Sequence, residues 1–166
     1  MADTKRLAIL KALTSLLAED VSTANGYDFD LAGRVWRGRV NFSPAELLAG
    51  AQVSIIEALN PDRDMKAAGW EPRQKDGWVL LIQGIAPDDR DNPTDPAHLL
   101  MGAVKKALAG IALSTSPRYM LGGLVADFAM EPGTVRPPDE ASAVAYFYLR
   151  VRLTVVEHLP DPFRLN

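Results

Sequence analysis

The C-terminal part of the chain carries its most constraining pattern, a long alternation of apolar and mixed side chains. Within residues 141–159, ASAVAYFYLRVRLTVVEHL, alternate positions are all apolar: Ala143, Ala145, Phe147, Leu149, Val151, Leu153 and Val155. The positions between them are mixed: Tyr146, Tyr148, Arg150, Arg152 and Thr154. Because successive side chains of a strand point to opposite faces, this pattern predicts one strand over residues 142–158 with one face in a core. Such a strand spans roughly 50 Å, so we expect it to bend or to project beyond its neighbours.

Three segments have helical signatures. The N-terminal segment repeats apolar residues every three to four positions, which predicts an amphipathic helix. The apolar stripe consists of Leu7, Ile9, Leu10, Leu13, Leu16 and Leu17, and Lys5 lies outside it. A second amphipathic helix is predicted from Pro96 through residues 97–113, with Asp95 as its cap and an apolar face of Leu100, Val104, Ala107, Leu108 and Ile111. Residues 43–50 predict a short helix, because Ser43 suits an N-cap and Pro44 the first helical position.

The remaining segments predict further strands and two long arms. Strands are expected over residues 34–40, 52–59, 78–86 and 124–130. Residues 78–86, WVLLIQGIA, are almost continuously apolar, which is typical of a central strand covered on both faces. The polar, proline-containing segments 60–77 and 131–141 predict exposed loop arms.

These elements predict an α+β fold, with a mixed or antiparallel central sheet packed against two main helices. A length of 166 residues suits a single domain, residues 1–166. A doubly wound nucleotide fold is disfavoured, because the strands do not alternate regularly with helices and no glycine-rich phosphate loop follows a strand. No apolar run reaches the roughly 18 residues of a membrane span, so we expect no membrane partner.

The chemistry of the side chains favours a protein that is not an enzyme. The chain has no cysteine and only two histidines, His98 and His158, and no serine lies in a nucleophile elbow. We therefore expect no catalytic residue, cofactor or metal site. The acidic loop from Asp88 to Asp95 offers oxygen ligands, but its spacing does not match an EF-hand. A small divalent-metal-dependent hydrolase using this loop stays open as the alternative from another functional class.

Arginines interleaved with aromatic residues are the strongest interaction signal. In GRVWRGRVNF, residues 33–42, strand geometry predicts Arg37 and Arg39 on one face, with Trp36 under a helix. Tyr146, Tyr148, Arg150 and Arg152 share the mixed face of the last strand. Such surfaces occur on single-stranded nucleic-acid platforms and at protein interfaces. The net charge of −3 favours a protein interface, so the interface candidates are Arg37, Arg39, Tyr146, Tyr148, Arg150 and Arg152.

The ordered pattern of segments over almost the whole chain resembles a known family. The segments that carry the resemblance are RLAILKALTSLLAED, NGYDFDLAGRVWRGR, SPAELLAGAQVSIIEAL, WVLLIQG, DPAHLLMGAVKKAL and the final YFYLRVRLTVVEHLPDPF. In this order they resemble the tail terminator, or tail completion, proteins of long-tailed bacteriophages and related prophages. Another neck or connector component, or a tail-tube subunit, is the nearest alternative.

The resemblance implies a structural role in the virion. Tail terminators assemble as six-fold rings on the head-proximal end of the tail tube, stop its polymerisation and form the surface for head–tail joining. The partners implied are other copies of the chain, the tail-tube protein and head–tail connector or neck proteins, with DNA only passing through the channel. The protein would reside in the host cytoplasm during assembly and then in the tail or neck. No catalysis or cofactor is implied, and the arginines are expected at subunit contacts or facing the channel.

Overall fold

A six-stranded mixed sheet forms the framework of the protein, and its two long helices pack against each other and against the sheet. The computed structural model describes residues 1–57, 72–140 and 142–165. The helices are α1 (Lys5–Asp20), α2 (Pro44–Ala49), α3 (Asp95–Ala109) and the single turn α4 (Met120–Gly123). The strands are β1 (Val35–Arg37), β2 (Gln52–Glu57), β3 (Arg73–Ile85), β4 (Asp127–Met130), β5 (Thr134–Arg136) and β6 (Tyr146–His158). The predicted α+β class is confirmed.

Strands β3 and β6 are the longest in the sheet and form its centre. They pair antiparallel over thirteen residues each, from Arg73 opposite His158 to Ile85 opposite Tyr146. Strand β2 pairs antiparallel with the second half of β3, and β1 pairs parallel with β2 at one edge. Strands β4 and β5 follow one another along the other side of β6. The first half of β3 and the last half of β6 therefore extend beyond the end of β2. This confirms the prediction that the long last strand projects beyond its neighbours.

One face of the sheet, under α1 and α3, forms the core. Alternate residues of β3 and β6 are fully buried on this face, among them Leu80, Ile82, Phe147, Leu149 and Leu153. The other alternate residues of β3, including Val79 and Leu81, are only half-buried. The prediction that β3 is central is confirmed. The prediction that both its faces are covered is wrong, because the two long helices share one side of the sheet.

A close approach within the core fixes the pairing of the two central strands. Gly84 on β3 lies opposite Phe147 on β6, and the Phe147 ring lies across the glycine. A Cβ atom at Gly84 would lie 2.0 Å from Cε1 of this fully buried ring. Only a residue without a side chain fits there.

Capping residues set the starts of the helices. The Thr4 side chain accepts a hydrogen bond from the Leu7 backbone N–H at α1. Ser43 and Glu46 form a reciprocal capping box at α2, which confirms the predicted N-cap. The predicted start of α3 was displaced by one residue: the N-cap is Thr94, and Asp95 lies in the first turn. Its carboxylate there still complements the helix dipole.

Strand pairing changes several predicted boundaries. The predicted arm 60–77 is wrong at residues 73–77, which belong to β3; residues 58–71 lie outside the described residues. The predicted arm 131–141 contains β5, paired with residues 146–148 of β6. Both segments have loop-like compositions, but the exposed backbone of β6 provides them with hydrogen-bond partners. Strand β6 itself begins at Tyr146 and not at residue 142.

Lys5 is the main departure from the predicted helix pattern. Its side chain lies outside the apolar stripe, yet Lys5 is only 8% exposed, whereas Leu7 within the stripe is exposed.

In the described part of the chain, no helix is long and apolar enough to cross a membrane.

Candidate interaction surface

The side of the central strands that faces away from α1 and α3 carries four of the six predicted interface residues. We call this surface the β3–β6 face and define it by Val79, Leu81, Gln83, Tyr148, Arg150 and Arg152. The strand register places Tyr148 opposite Gln83, Arg150 opposite Leu81 and Arg152 opposite Val79. Tyr146 lies on the same side at the end of the strand, opposite Ile85. The alternation of apolar and mixed residues in the sequence correctly predicted that Tyr146, Tyr148, Arg150 and Arg152 share one side of β6.

Among the described residues, little negative charge lies close to the two arginines of this face. Arg150 and Arg152 are exposed. The Nε atom of Arg150 lies 3.8 Å from Glu131 Oε2, and both side chains are more than half exposed, so this ion pair contributes little. Arg152 has no ion-pair or hydrogen-bond partner among the described residues. Together with Val79 and Ala129 the two arginines line a shallow depression of about 150 Å³.

Tyr146 has a structural role within the monomer. It is 6% exposed, and its hydroxyl donates a 2.8 Å hydrogen bond to Oδ2 of Asp139. Its ring also meets Tyr148 edge-on, with 5.2 Å between centroids. The hydrogen bond to Asp139, followed by burial, raises the pKa of Tyr146 to about 12. Tyr146 thus attaches the loop after β5 to the sheet, and its ring has little surface to offer a partner.

Arg37 and Arg39 do not share a strand face, contrary to the prediction. Strand β1 ends at Arg37, because Gly38 has a φ of 68° and turns the chain. Arg37 lies on the α1 side, where its Nη1 donates to Thr14 Oγ1 at 3.1 Å. Arg39 lies beyond the strand. Both are separated from the β3–β6 face by β2, so the six candidates do not form a single site.

Arg39 instead holds a local aromatic cluster together. Its guanidinium lies 4.6 Å from the Trp36 ring centroid and 4.8 Å from that of Phe42. It also contacts both carboxylate oxygens of Glu46, at 2.6 and 2.8 Å. The Ser43 backbone N–H and then Arg39 lower the pKa of Glu46. This arrangement satisfies Arg39 within the monomer.

Trp36 lies on the side of the sheet opposite Arg37, not under α1 or α3. It is half-buried, and its Nε1 donates to Gln52 Oε1 at 2.9 Å. The Gln52 amide in turn donates to the Glu46 carbonyl of α2 at 2.9 Å. The tryptophan is therefore linked to α2 through Gln52.

The acidic loop has a local structural explanation. Asp89 Oδ1 accepts hydrogen bonds from the backbone N–H groups of Asp91 and Asn92, each at 2.9 Å, and these bonds lower its pKa. Among the described residues, no group of three or more histidine, aspartate or glutamate side chains is placed to hold a metal ion.

No protein-family model matches this chain, and a search of curated proteins finds no significant match.

Sequence reasoning missed two arginines that cross-link distant segments. Arg6 of α1 bonds Asp76 at 2.8 Å and Glu157 at 2.9 Å, and it lies 4.9 Å from the Trp78 ring. Arg118 bonds both Glu19 and Asp20 at the end of α1, each at 2.8 Å. These partners are tens of residues or more apart in sequence, so no local spacing signals them. Arg150 and Arg152 differ from Arg6 and Arg118, because neither has a comparably strong partner among the described residues.

Proposed function

We propose that this protein is a non-enzymatic structural subunit that assembles into a six-fold ring and terminates a bacteriophage tail tube. The resemblance of its ordered segments to tail terminators suggests the role, and the α+β fold is the class that the resemblance implies. In this role the ring caps the head-proximal end of the tube and forms the surface for head–tail joining. Its partners are further copies of itself, the tail-tube protein and the neck proteins.

The observation that carries the proposal is the β3–β6 face. It combines two exposed arginines that have no strong partner in the part of the chain that the structure describes, half-buried Val79 and Leu81, and the adjacent Tyr148. Apolar surface with tyrosine and arginine is the composition of protein interfaces. Arg6, Arg39 and Arg118, by contrast, are neutralised within the monomer.

The edge beside this face offers a second means of contact. Strands β4 and β5 form the outer edge of the sheet, so one side of each has no strand partner among the described residues. A neighbouring chain can pair with such an edge through its backbone. A ring needs a heterologous contact, in which one patch of each copy meets a different patch of the neighbouring copy. This edge and face supply one of those two patches.

Mass in solution tests the ring. We expect purified protein at rising concentration to form a species of about six times the 18.1 kDa protomer mass. The double substitution Arg150→Glu and Arg152→Glu should raise the concentration needed for assembly at least about tenfold, because like charges across an interface are costly. Arg90→Glu is the matched control, since Arg90 is exposed in the 87–94 loop and also unpaired among the described residues. Assembly that is equally sensitive to both changes would contradict the assignment of the β3–β6 face.

A further inference from the structure

The short helix α2 presents an exposed apolar surface that carries no charge. Leu48 is 87% exposed, and among the described large apolar side chains only that of the terminal Met1 is more exposed. Its neighbours on the outer side of the helix are also exposed and uncharged: Pro44, Ala45 and Ala49. The one charged residue of α2, Glu46, is engaged by Arg39. We call Leu48 and these three neighbours the α2 knob.

Contacts at both ends of α2 hold this knob in place. The start of the helix has the reciprocal capping box of Ser43 and Glu46. Near its other end, the Gln52 amide of β2 donates to the backbone carbonyls of Glu46 and Gly50, at 2.9 and 3.3 Å. A group that is already ordered loses little conformational entropy on binding. A fixed and exposed apolar surface therefore suits a contact with another protein surface.

Two hydrogen-bond acceptors lie beside the Leu48 side chain. The backbone carbonyl groups of Leu48 and Ala49 belong to the last turn of α2, and no described residue donates a hydrogen bond to them. A surface that covers the knob must therefore offer an apolar depression with hydrogen-bond donors at its border.

The β3–β6 face has both of these features. Its shallow depression of about 150 Å³ is lined by Val79 and Ala129 and by Arg150 and Arg152. A cavity of this volume can hold benzene, which has more carbon atoms than a leucine side chain. The guanidinium groups supply the donors: Arg152 has no partner among the described residues, and Arg150 has only its weak ion pair.

We propose that the α2 knob of one copy of this chain docks on the β3–β6 face of the next copy. Leu48 enters the depression, and Arg150 and Arg152 donate to the two carbonyl groups at the end of α2. The two patches belong to different parts of the chain, with β2 between β1 and the central strands, so the contact is heterologous. This inference rests on the proposed self-assembly and names the second of its two patches.

The mass of the full-length protein in solution, measured by sedimentation at rising concentration, tests this contact. Leu48→Lys should raise the concentration needed for assembly at least about tenfold, because it replaces an apolar group with a cation that faces two arginines. Leu48→Glu should be less harmful than Leu48→Lys, because its carboxylate can pair with those arginines. Since Leu48 is exposed, both variants should keep the wild-type Tm at concentrations where the protein is monomeric.

Leu99 supplies a matched control. It is 58% exposed on α3, on the other side of the sheet. Leu99→Lys therefore adds the same charge to another exposed leucine, and it should assemble as the wild type does.

Charge exchange identifies the surface that the knob contacts. Arg150→Glu with Arg152→Glu should weaken assembly on its own, as Leu48→Lys does. When all three substitutions are combined in one chain, an ammonium group faces two carboxylates at each contact. The combined variant should therefore assemble at least about tenfold more readily than either parent variant.

The contact and the copy number are separate results. Assemblies of another size that are weakened by Leu48→Lys and restored by charge exchange would contradict the six-fold ring and support the contact. Six-fold rings that form equally well with Leu48→Lys and Leu99→Lys would overturn the contact alone.

Four other results would also overturn the contact. They are a wild-type protein that stays monomeric, equal harm from Leu48→Glu and Leu48→Lys, no rescue by charge exchange, and a Leu48→Lys variant that self-associates normally but no longer binds a tail-tube subunit. The last result would assign the α2 knob to a different partner.

Discussion

Substitution of Gly84 by alanine tests the packing that holds the two central strands in register. The added Cβ would lie 2.0, 2.5 and 2.8 Å from three carbon atoms of the Phe147 ring. Ordinary carbon–carbon contacts are about 3.5–4.0 Å, so the ring or the strand must shift by more than 1 Å. Phe147 is 0% exposed and surrounded by the core, so neither can shift freely.

The expected cost follows from this geometry. Overpacking a well-filled core usually costs about 1–3 kcal/mol, and three overlapping contacts place Gly84→Ala at or above the upper end, about 3 kcal/mol. For a domain of this size, that loss corresponds to a fall in Tm of roughly 6–12 °C. Urea denaturation should show a lower midpoint with an unchanged slope, since the surface exposed on unfolding is the same.

The same strand supplies a matched control. Gly77, seven residues earlier on β3, has room for a methyl group: a Cβ there would lie 3.5 Å from Arg152 Cδ. Gly77→Ala should therefore be neutral or stabilise the protein by about 0.4–1 kcal/mol, through lower entropy of the unfolded chain. In a double-mutant cycle, Phe147→Leu should be less harmful in the Gly84→Ala background than alone. If Gly84→Ala and Gly77→Ala differed by less than about 1 kcal/mol, the packing account would be refuted.

Three further predictions concern individual contacts. Tyr146, whose pKa is raised to about 12, should appear as a late-titrating tyrosine in ultraviolet absorbance that disappears in Tyr146→Phe. Because its folded pKa lies above the unfolded value near 10, its contribution to stability should be complete below pH 10 and lost as the pH rises toward 12; a titration near 10 would contradict this. Ser43→Ala should destabilise α2 by about 1 kcal/mol, measured by hydrogen exchange of its amides, with exchange unchanged in α3. Arg118→Ala should cost about 1–2 kcal/mol in urea denaturation, since it removes charged hydrogen bonds to Glu19 and Asp20, whereas a loss below 0.3 kcal/mol would show that these pairs are not stabilising.

The fold was predictable wherever a local pattern decides the structure. Alternation in β6 gave the buried set from Phe147 to Val155, and the Ser43–Pro44 pair gave the start of α2. Prediction failed where the structure of a segment depends on contacts with residues far away in the sequence. Residues 73–77 are charged and polar, yet they form a strand because β6 continues beside them. Lys5 is buried because the C-terminal segment lies against the start of α1.

The candidate surface was predictable only in part. Arg150 and Arg152 were placed correctly because strand alternation is a local rule. Arg39 was misplaced, since the left-handed conformation of Gly38 ends β1 before it. No spacing rule signals the stacking of Arg39 on Trp36 and Phe42.

The length of tail tubes measures the central claim most directly. A tail-tube subunit of a long-tailed phage is polymerised alone and with increasing amounts of the protein, and tube lengths are measured by electron microscopy. Termination predicts that mean tube length falls as the protein is added, with a ring visible at one end of each tube. Arg150→Glu with Arg152→Glu should weaken this effect, and Arg90→Glu should not. Tubes whose length is unchanged, or which incorporate the protein along their length and grow, would contradict the proposed role.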